Sequence, residues 1–556
     1  MGTPRRDDPF NLADYVLFDR LAEGLGDTVA LRFGDQAHTY AEVAEQTRAL
    51  SAHLIGAGVG REARVLVVLP DTPAFAWAIF ATLRAGAVLA MGNPAADNLR
   101  DVLDYTHATA LVTVPSAAKA LHEATIRAGV HVVVAADAAT GDDVLAPPQQ
   151  VPPEAVPLAD ALADGRARIE RGAPSHRDTI ADAPAIWLFT SGSTGRSRAA
   201  MHAHADFAFN TERYAVNTVG YRRGDVTVSV PRLYFGYATG TNLFFPFRVG
   251  ATVGLFSERP TPARLAAAIT EYRPSIVTNV PTMMAKLLDA DDAQRREGGA
   301  STLDLSSVRF HLSAGEALPP ALLERFCTRF GGEVYDGIGS AEMFHIYCTN
   351  RPGDVKPGSL GRAVEGYTLR VLPVDAEGPG AAEVAVGETG VLWVKGDSVA
   401  WGYYGDRARS FRTFFGHWCR TGDLFRRDAD GYYWFEGRSD DLLKVGGIWV
   451  APLEVEHCLT EHEAVSAAAV IGAEREAGLV KPKAIVTLRP DHRPATDADA
   501  ARLAQALKEH VQTRLSKHKY PRWVCFVDTL PKNDRGKIDR KELLRREAAG
   551  DNPPGW

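Results

Sequence analysis

The chain has 556 residues, 46% of them hydrophobic and 24% charged, a globular composition too long for one hydrophobic core, so two or more domains are expected. Its 62 lysines and arginines stand against 69 aspartates and glutamates, a net charge of −7 that argues against a nucleic-acid or anionic-membrane partner. Five scattered cysteines (Cys327, Cys348, Cys419, Cys458 and Cys525) form no C-x-x-C pair, which argues against a disulfide framework or a zinc site and makes a reducing cytoplasm the simplest home. The N-terminal M-G-T-P-R-R-D-D-P-F has charges but no apolar segment behind it. No uncharged apolar run approaches the roughly 18 residues of a membrane span, and the sixth residue is not the hydroxyl residue of a myristoylation signal.

In chain order, Tyr40 to Gly56 has helical periodicity, Val65 to Leu69 reads as a buried strand and Asp71 to Ala85 again as helix, which is βα alternation. Ala110 to Val114 and Val130 to Ala135 continue it as strands. The Ala/Asp/Pro-rich passage from Ala136 to Ala183 reads as a surface excursion. Ala185 to Phe189 is a short apolar strand leading into a loop. Strands follow at Val226 to Val230, Ser275 to Val280 and Val308 to Leu312, and Gln294 to Thr302 is expected to be an exposed loop. Beyond Gly387 the texture turns to β, with Gly390 to Lys395 and Gly431 to Phe435 bracketing Gly/Asp-rich turns. After Gly437 a small α/β domain is expected: helix Pro452 to Leu459, strands Ala467 to Ile471 and Lys483 to Leu488, helix Ala498 to Leu515 and a basic tail.

The loop from Leu188 to His202, L-F-T-S-G-S-T-G-R-S-R-A-A-M-H, has few purely structural uses. Gly192 and Gly195 allow a tight turn whose N–H groups approach a polyanion, Thr190, Ser191, Ser193 and Thr194 add hydroxyl donors, and Arg198 adds a fixed cation. It is not the Walker pattern. A Gly/Ser/Thr-rich surface loop is the alternative. Four further stretches carry chemistry-bearing residues: Tyr335-Asp336-Gly337-Ile338-Gly339-Ser340-Ala341-Glu342, with a carboxylate after a glycine-bearing turn; Trp418 to Leu424, with Asp423 on a tight turn; Gly437-Arg438-Ser439-Asp440; and Pro531 to Ile538, with Lys537 on a glycine-bearing loop.

In this order and spacing, from about residue 12 to 546, the stretches resemble the adenylate-forming superfamily of acyl-CoA synthetases, nonribosomal-peptide adenylation domains and luciferases. Asp336 to Ile346 and Lys444 to Val450 are similar to benzoate–CoA ligases, which points at an aromatic acid. The resemblance implies an α/β fold: a large N-terminal domain of βα-alternating sheets with a small β subdomain (residues 1–437), and a small mobile α+β C-terminal domain (438–556) hinged at 438–441. It implies ATP, Mg2+ and coenzyme A, or a carrier protein's phosphopantetheine, as cofactors. Residues Thr190 to Arg198 would hold the β- and γ-phosphates, Glu342 the Mg2+, and Asp423 the ribose hydroxyls. Arg438 would approach ribose and phosphate, and Lys537 would bridge the carboxylate and α-phosphate. Asp440 would be the hinge, and the Lys444-to-Trp449 loop, with Gly446 and Gly447, would line the thiol channel. Lys537 could instead be a solvated tail lysine, and Asp440 a helix cap.

Adenine is expected against Gly315-Glu316-Ala317 and Tyr335-Asp336-Gly337. The aryl pocket is expected from Tyr234, Phe235, Tyr237, Asn279, Ser313, Ala314, Ile338 and His345, each of which could equally be core. Tyr234, Tyr237 and His345 offer hydrogen bonds, which favours a hydroxy- or aminobenzoate. Two stretches depart from the family. Ser197-Arg198-Ala199 replaces Pro-Lys-Gly, and Ala341 replaces the threonine before the metal-binding glutamate, a lost hydrogen bond worth roughly 1.5–3 kcal/mol, or about ten- to a hundredfold in rate. His202 and His204 lack an evident third metal ligand and read as pocket or packing residues. Three functions follow: an aryl-acid CoA ligase, an adenylating enzyme that loads a separate carrier protein, or a catalytically weakened nucleotide-binding protein. The basic patch Arg514 to Lys519 could dock an acidic carrier or the CoA nucleotide, or be solvated. The oligomeric state is left open.

Overall fold

The computed structural model describes residues 4–136, 151–190, 198–298, 303–445, 448–474, 480–531 and 538–550. The chain divides into two compact units. The first comprises residues 1–369, 393–420 and 430–433, the second residues 370–392, 421–429 and 434–556.

The first unit is built on two large sheets. A seven-stranded sheet runs Val156–Pro157, His131–Val134, Ala110–Thr113, Arg64–Val68, Val88–Met91, Pro184–Thr190 and Arg198–Ala203, all neighbours parallel except the last pair. Parallel strands are covered on both faces, which is why their sequences are unbroken runs of valine, leucine and alanine rather than alternations. Helix Pro73–Arg84 has proline at its start and is buried from Pro73 through Leu83, as expected of a helix that is apolar all round. Helix Tyr40–Gly56 starts on a capping box of Thr39 and Glu42.

The expectation of a surface excursion between Ala136 and Ala183 is overturned in part. Residues 137–150 lie outside the described residues, but strand Val156–Pro157 joins the sheet and helix Leu158–Glu170 follows. Leu158, Ala161, Leu162 and Gly165 are its buried positions, at helical spacing. A Cβ on Gly165 would lie 1.8 Å from the carbonyl oxygen of Ala49, so the backbones of this helix and Tyr40–Gly56 meet where only glycine fits. The expected loop at Gln294 also changes: helix Pro281–Arg296 includes its first residues.

The nine-stranded sheet runs Arg362–Ala363, Ile346–Thr349, Glu333–Gly339, Phe310–Ser313, Ile276–Asn279, Val226–Ser229, Thr252–Leu255, Val29–Phe33 and Gln36–Thr39, parallel through its middle and antiparallel at both edges. One layer beside it is packed by Val228, Leu265, Ile269, Val277, Met284, Leu288 and Phe326. The β texture after Gly387 belongs to a five-stranded sheet of Thr368–Leu372, Gly390–Lys395, Trp418–Arg427 and Phe414–Phe415 in that order, with Tyr433–Arg438 beside Trp418–Arg427.

In the second unit, Val465–Glu474 and Val480–Leu488 pair antiparallel and Trp523–Phe526 joins the latter in parallel. Helices Pro452–Thr460 and Asp497–Arg514 contribute Val455, Leu459, Leu507 and Val511 to one core with Val465, Val470, Ala484 and Val486. The whole is a large N-terminal α/β body and a smaller C-terminal α+β body, as the sequence implied.

Candidate active site

Strands Ile276–Asn279, Phe310–Ser313 and Glu333–Gly339 lie side by side in parallel, with Asn279 opposite Ser313 and Ser313 opposite Asp336. Three buried polar residues therefore form a row toward the carboxyl ends of adjacent strands, where open α/β sheets bind ligands. Asn279 Oδ1 accepts from the Val280 N–H at 2.9 Å, while its Nδ2 and Asp336 Oδ1 are buried without a partner among the described residues. Burial pushes the Asp336 carboxyl up to about 8, held back by the Ser313 hydroxyl and the Gly337 N–H. Buried polar atoms left unpaired cost about 1–3 kcal/mol each, so such a row calls for a group from outside. Tyr335 is buried with its ring 5.0 Å from Phe310 and its hydroxyl donating to Glu333 at 2.6 Å. Gly337 and Gly339 are required: a Cβ would lie 2.8 Å from Thr349 Oγ1 at the first and 2.4 Å from the His345 carbonyl oxygen at the second. Gly315 has φ +87°, Ala314 is buried, Ala317 is exposed, and Glu316 accepts from both the N–H and the hydroxyl of Thr282.

The strand ends in a 3-10 turn, Ala341–Met343, that carries Glu342. Phe344 then reverses the chain at φ +68°, a strained value for a side-chain-bearing residue, held by its ring 4.0 Å from Phe207. Tyr403 donates its hydroxyl to Glu342 Oε1 at 2.6 Å and the Ala400 N–H donates to the Glu342 carbonyl at 2.8 Å. The second carboxylate oxygen has no partner among the described residues. An anchored carboxylate with one oxygen to offer fits a hard divalent cation such as Mg2+. Tyr403 was missed by sequence reasoning; its only signal is an aromatic residue in the turn G-Y-Y-G.

Beyond the reversal, His345 is buried among rings, with centroids at 5.4 Å from Tyr214, 5.3 Å from Tyr237 and 4.7 Å from Phe245. Burial lowers its pKa to about 3, so the imidazole is neutral. Its Nε2 lies 2.9 Å from the Tyr237 carbonyl, which only accepts, so Nε2 carries the proton and Nδ1 is an acceptor. Nδ1 and the Tyr237 hydroxyl are both buried without partners among the described residues. Tyr214 was absent from the sequence-derived pocket, being distant in the chain. The Tyr234 ring lies tilted against Phe235 with centroids 4.7 Å apart, Phe235 is 40% exposed, and Ile338 is half-buried opposite Cys348.

The glycine-rich loop joins strands Pro184–Thr190 and Arg198–Ala203, whose register sets Thr190 opposite Arg198. Ser191, Gly192, Ser193, Thr194 and Gly195 lie outside the described residues. Arg198 Nε pairs with Asp406 Oδ2 at 3.0 Å. The adjoining Ala199 N–H meets the Tyr105 hydroxyl, which donates to the Tyr404 carbonyl at 2.6 Å. His202 and His204 are fully buried; His204 Nδ1 accepts from the Leu12 N–H at 3.1 Å.

In the second unit Asp423 lies within strand Trp418–Arg427 rather than on a tight turn, with Gly422 at φ +75° supplying the local bend. Arg438 Nη1 donates to Asp423 Oδ1 at 2.5 Å and to the Thr421 carbonyl at 3.2 Å. Asp440 sits in the 3-10 turn Ser439–Asp441, and Lys444 Nζ stands 5.3 Å over the Trp449 ring. Gly446, Gly447 and Lys537 lie outside the described residues.

Fold and site together define an adenylate-forming enzyme, an AMP-forming acid–thiol ligase. The family model for AMP-binding enzymes matches residues 18–404 and that for their C-terminal domain matches residues 454–537, and the chain belongs to this family. It is 43% identical over 386 residues, 69% of each chain, to a benzoate–CoA ligase of Thauera aromatica. Over 549 residues, 98% of this chain and 95% of the relative, it is 36% identical to a 4-hydroxybenzoate–CoA/benzoate–CoA ligase of Rhodopseudomonas palustris. Among solved structures, the anthranilate CoA ligase AuaEII in complex with anthranoyl-AMP superimposes with a TM-score of 0.81 at 31% identity over 98% of both chains. Among the described residues no helix is long and apolar enough to cross a membrane.

Proposed function

We propose that the protein activates a hydroxy- or amino-substituted benzoate with ATP and transfers the acyl group to coenzyme A. The carboxylate oxygen attacks the α-phosphorus and the bond to pyrophosphate breaks, giving an acyl-adenylate. The CoA thiolate then attacks the acyl carbon and AMP leaves. The first barrier is largely repulsion between two anions, so the protein's contribution is positioning and fixed positive charge.

The observation that carries the substrate class is His345. Its N–H is committed to the Tyr237 carbonyl, which leaves an acceptor nitrogen buried among aromatic rings. An O–H or N–H on the substrate ring satisfies it; hydrogen, halogen or methyl does not. The Tyr237 hydroxyl supplies a second buried partner for the same substituent. The named relatives act on benzoate, 4-hydroxybenzoate and anthranilate, which supports an aryl acid of this size.

For the nucleotide, the reading gives Thr190 to Arg198 the β- and γ-phosphates, Tyr335 and the Gly315-to-Ala317 segment the adenine faces, Asp423 the ribose and Arg438 the ribose and phosphate. Lys537 supplies positive charge to the reacting carboxylate and α-phosphate, and Lys444, Gly446 and Gly447 line the thiol's approach. A neutral Asp336 carboxyl presents O–H and C=O together and matches the acceptor–donor edge of adenine. Mg2+, when bound, neutralises charge on the polyphosphate, and Glu342 would hold it.

ATP–pyrophosphate exchange across benzoate and its hydroxy and amino isomers tests the substrate. A clear preference for unsubstituted benzoate rejects the substituent reading, and no exchange with any aryl acid rejects the aryl reading. Offering CoA against a holo carrier protein tests the acceptor; exclusive loading of the carrier overturns the CoA assignment.

A further inference from the structure

A hydrogen-bond chain behind Glu342 has no place among these roles. His202, in strand Arg198–Ala203, and Asp206, in the first turn of helix His204–Asn210, are both completely buried. His202 Nε2 lies 2.6 Å from the Ala341 carbonyl oxygen and its Nδ1 lies 3.0 Å from Asp206 Oδ2. The carbonyl only accepts, so Nε2 carries a proton and donates it. On the other side one proton is shared between Nδ1 and Oδ2. Asp206 is itself fixed, since Oδ2 also accepts the Ala203 N–H at 3.0 Å and Arg6 Nη1 stands 3.9 Å from Oδ1. A histidine that only filled volume would need neither contact; this ring is aimed, with one nitrogen anchored and the other on a peptide carbonyl.

That carbonyl belongs to the peptide joining Ala341 to Glu342. The turn is short, and Ala341 has no hydroxyl with which to tether itself, so its orientation rests on backbone contacts. The carbonyl of Ala341 is held by His202, that of Glu342 by the Ala400 N–H at 2.8 Å, and the carboxylate by the Tyr403 hydroxyl at 2.6 Å. We propose that His202, aligned by Asp206, is a positioning residue that sets the Glu342 carboxylate for the divalent cation, an inference that rests on the reading of Glu342 as the metal ligand. Partners that orient a ligating carboxylate are worth about 10–100-fold in metal affinity.

The test is Mn2+ binding in the presence of α,β-methylene-ATP, read as loss of the free Mn2+ electron paramagnetic resonance signal, so that no turnover is involved. His202→Leu is expected to weaken Mn2+ binding about tenfold. His202→Gln, whose amide can still donate to the Ala341 carbonyl, is expected to stay close to the wild type, and a loss equal to that of the leucine variant overturns the proposal. Glu342→Gln separates the two layers. Unchanged Mn2+ affinity there removes Glu342 as ligand and the proposal with it. Weakened affinity there with an unchanged value in His202→Leu leaves Glu342 in place and overturns the role of His202. Should His202→Leu fail to fold, Asp206→Asn, which keeps the volume and an acceptor for the Ala203 N–H while weakening the ring's anchor, carries the test, and unchanged Mn2+ affinity overturns it.

Discussion

Arg198 Nε lies 3.0 Å from Asp406 Oδ2, so the cation that closes the glycine-rich loop is already half of an ion pair. Asp406 also caps helix Arg407–Thr413, accepting the Arg409 N–H at 3.1 Å, which fixes the carboxylate before arginine is considered. Lysine, the family's residue at this position, has no Nε–H donor in the plane of a fork and could not make this contact in the same way.

The pair therefore sets the stem of the loop, and its two members should act as a unit. In a double-mutant cycle on kcat/KM for ATP, Arg198→Ala and Asp406→Ala together should lose less than the sum of their separate losses, by about 0.5–1 kcal/mol for a partly exposed pair. Strict additivity would show that Arg198 acts on the nucleotide without Asp406.

Asp336 gives the protein a pH signature. Its ordinary pKa is near 3.8 and burial raises it to about 8 in the folded chain. Between these values the folded state holds a proton that the unfolded state has released, so this group's contribution to stability is complete below about pH 4 and falls as pH rises toward 8. Asp336→Asn removes the titration and keeps both a donor and an acceptor. Relative to the wild type it should gain up to about 1.4 kcal/mol per pH unit across this window. Melting temperatures of the two proteins from pH 5 to 9 measure the gain. Parallel curves would mean that Asp336 is charged in the folded enzyme.

Why Asp336 was legible as a site residue and its neighbours less so is a matter of what one sequence exposes. The run D-G-I-G-S-A-E is contiguous and dense in glycine, so it reads directly. The row Asn279, Ser313 and Asp336 exists only through strand register, which no local pattern states. Buried parallel strands such as Arg64–Val68 read clearly because they are unbroken β-branched and aliphatic runs. Helix Leu158–Glu170 did not, because its buried face is made of two leucines, an alanine and a glycine, the last of which looks like a breaker until Ala49 is seen to lie against it. The partners of Arg198, Glu342 and His202 (Asp406, Tyr403 and Ala341) are likewise distant in the chain and arrive only with the fold.

The acceptor at His345 makes a prediction about selectivity rather than rate. Tyr237→Phe removes one buried hydroxyl and nothing else, so activity on unsubstituted benzoate should hold or rise slightly. Activity on the preferred hydroxy- or aminobenzoate should fall by about 1–2 kcal/mol, or roughly five- to thirtyfold in kcat/KM. Competition between the two acids in one exchange assay gives the ratio directly. An equal fall on both acids would assign Tyr237 to packing alone.

Asp440 tests the hinge reading through a substitution that suits the local structure. It is the second residue of a turn in which the Leu442 N–H reaches the Ser439 carbonyl at 3.4 Å, the position at which such turns favour proline. Its side chain is exposed and its carboxylate stands 3.9 Å from Arg438, a contact worth little in water, so Asp440→Ala should be nearly silent. Asp440→Pro instead locks φ near −65° and removes rotation at that bond. If the C-terminal body must turn between the half-reactions, pyrophosphate exchange should survive in Asp440→Pro while single-turnover transfer from acyl-adenylate to CoA drops by about tenfold or more. Equal loss in both assays would place Asp440 outside any hinge. A loss already present in Asp440→Ala would assign the effect to the carboxylate and not to the backbone.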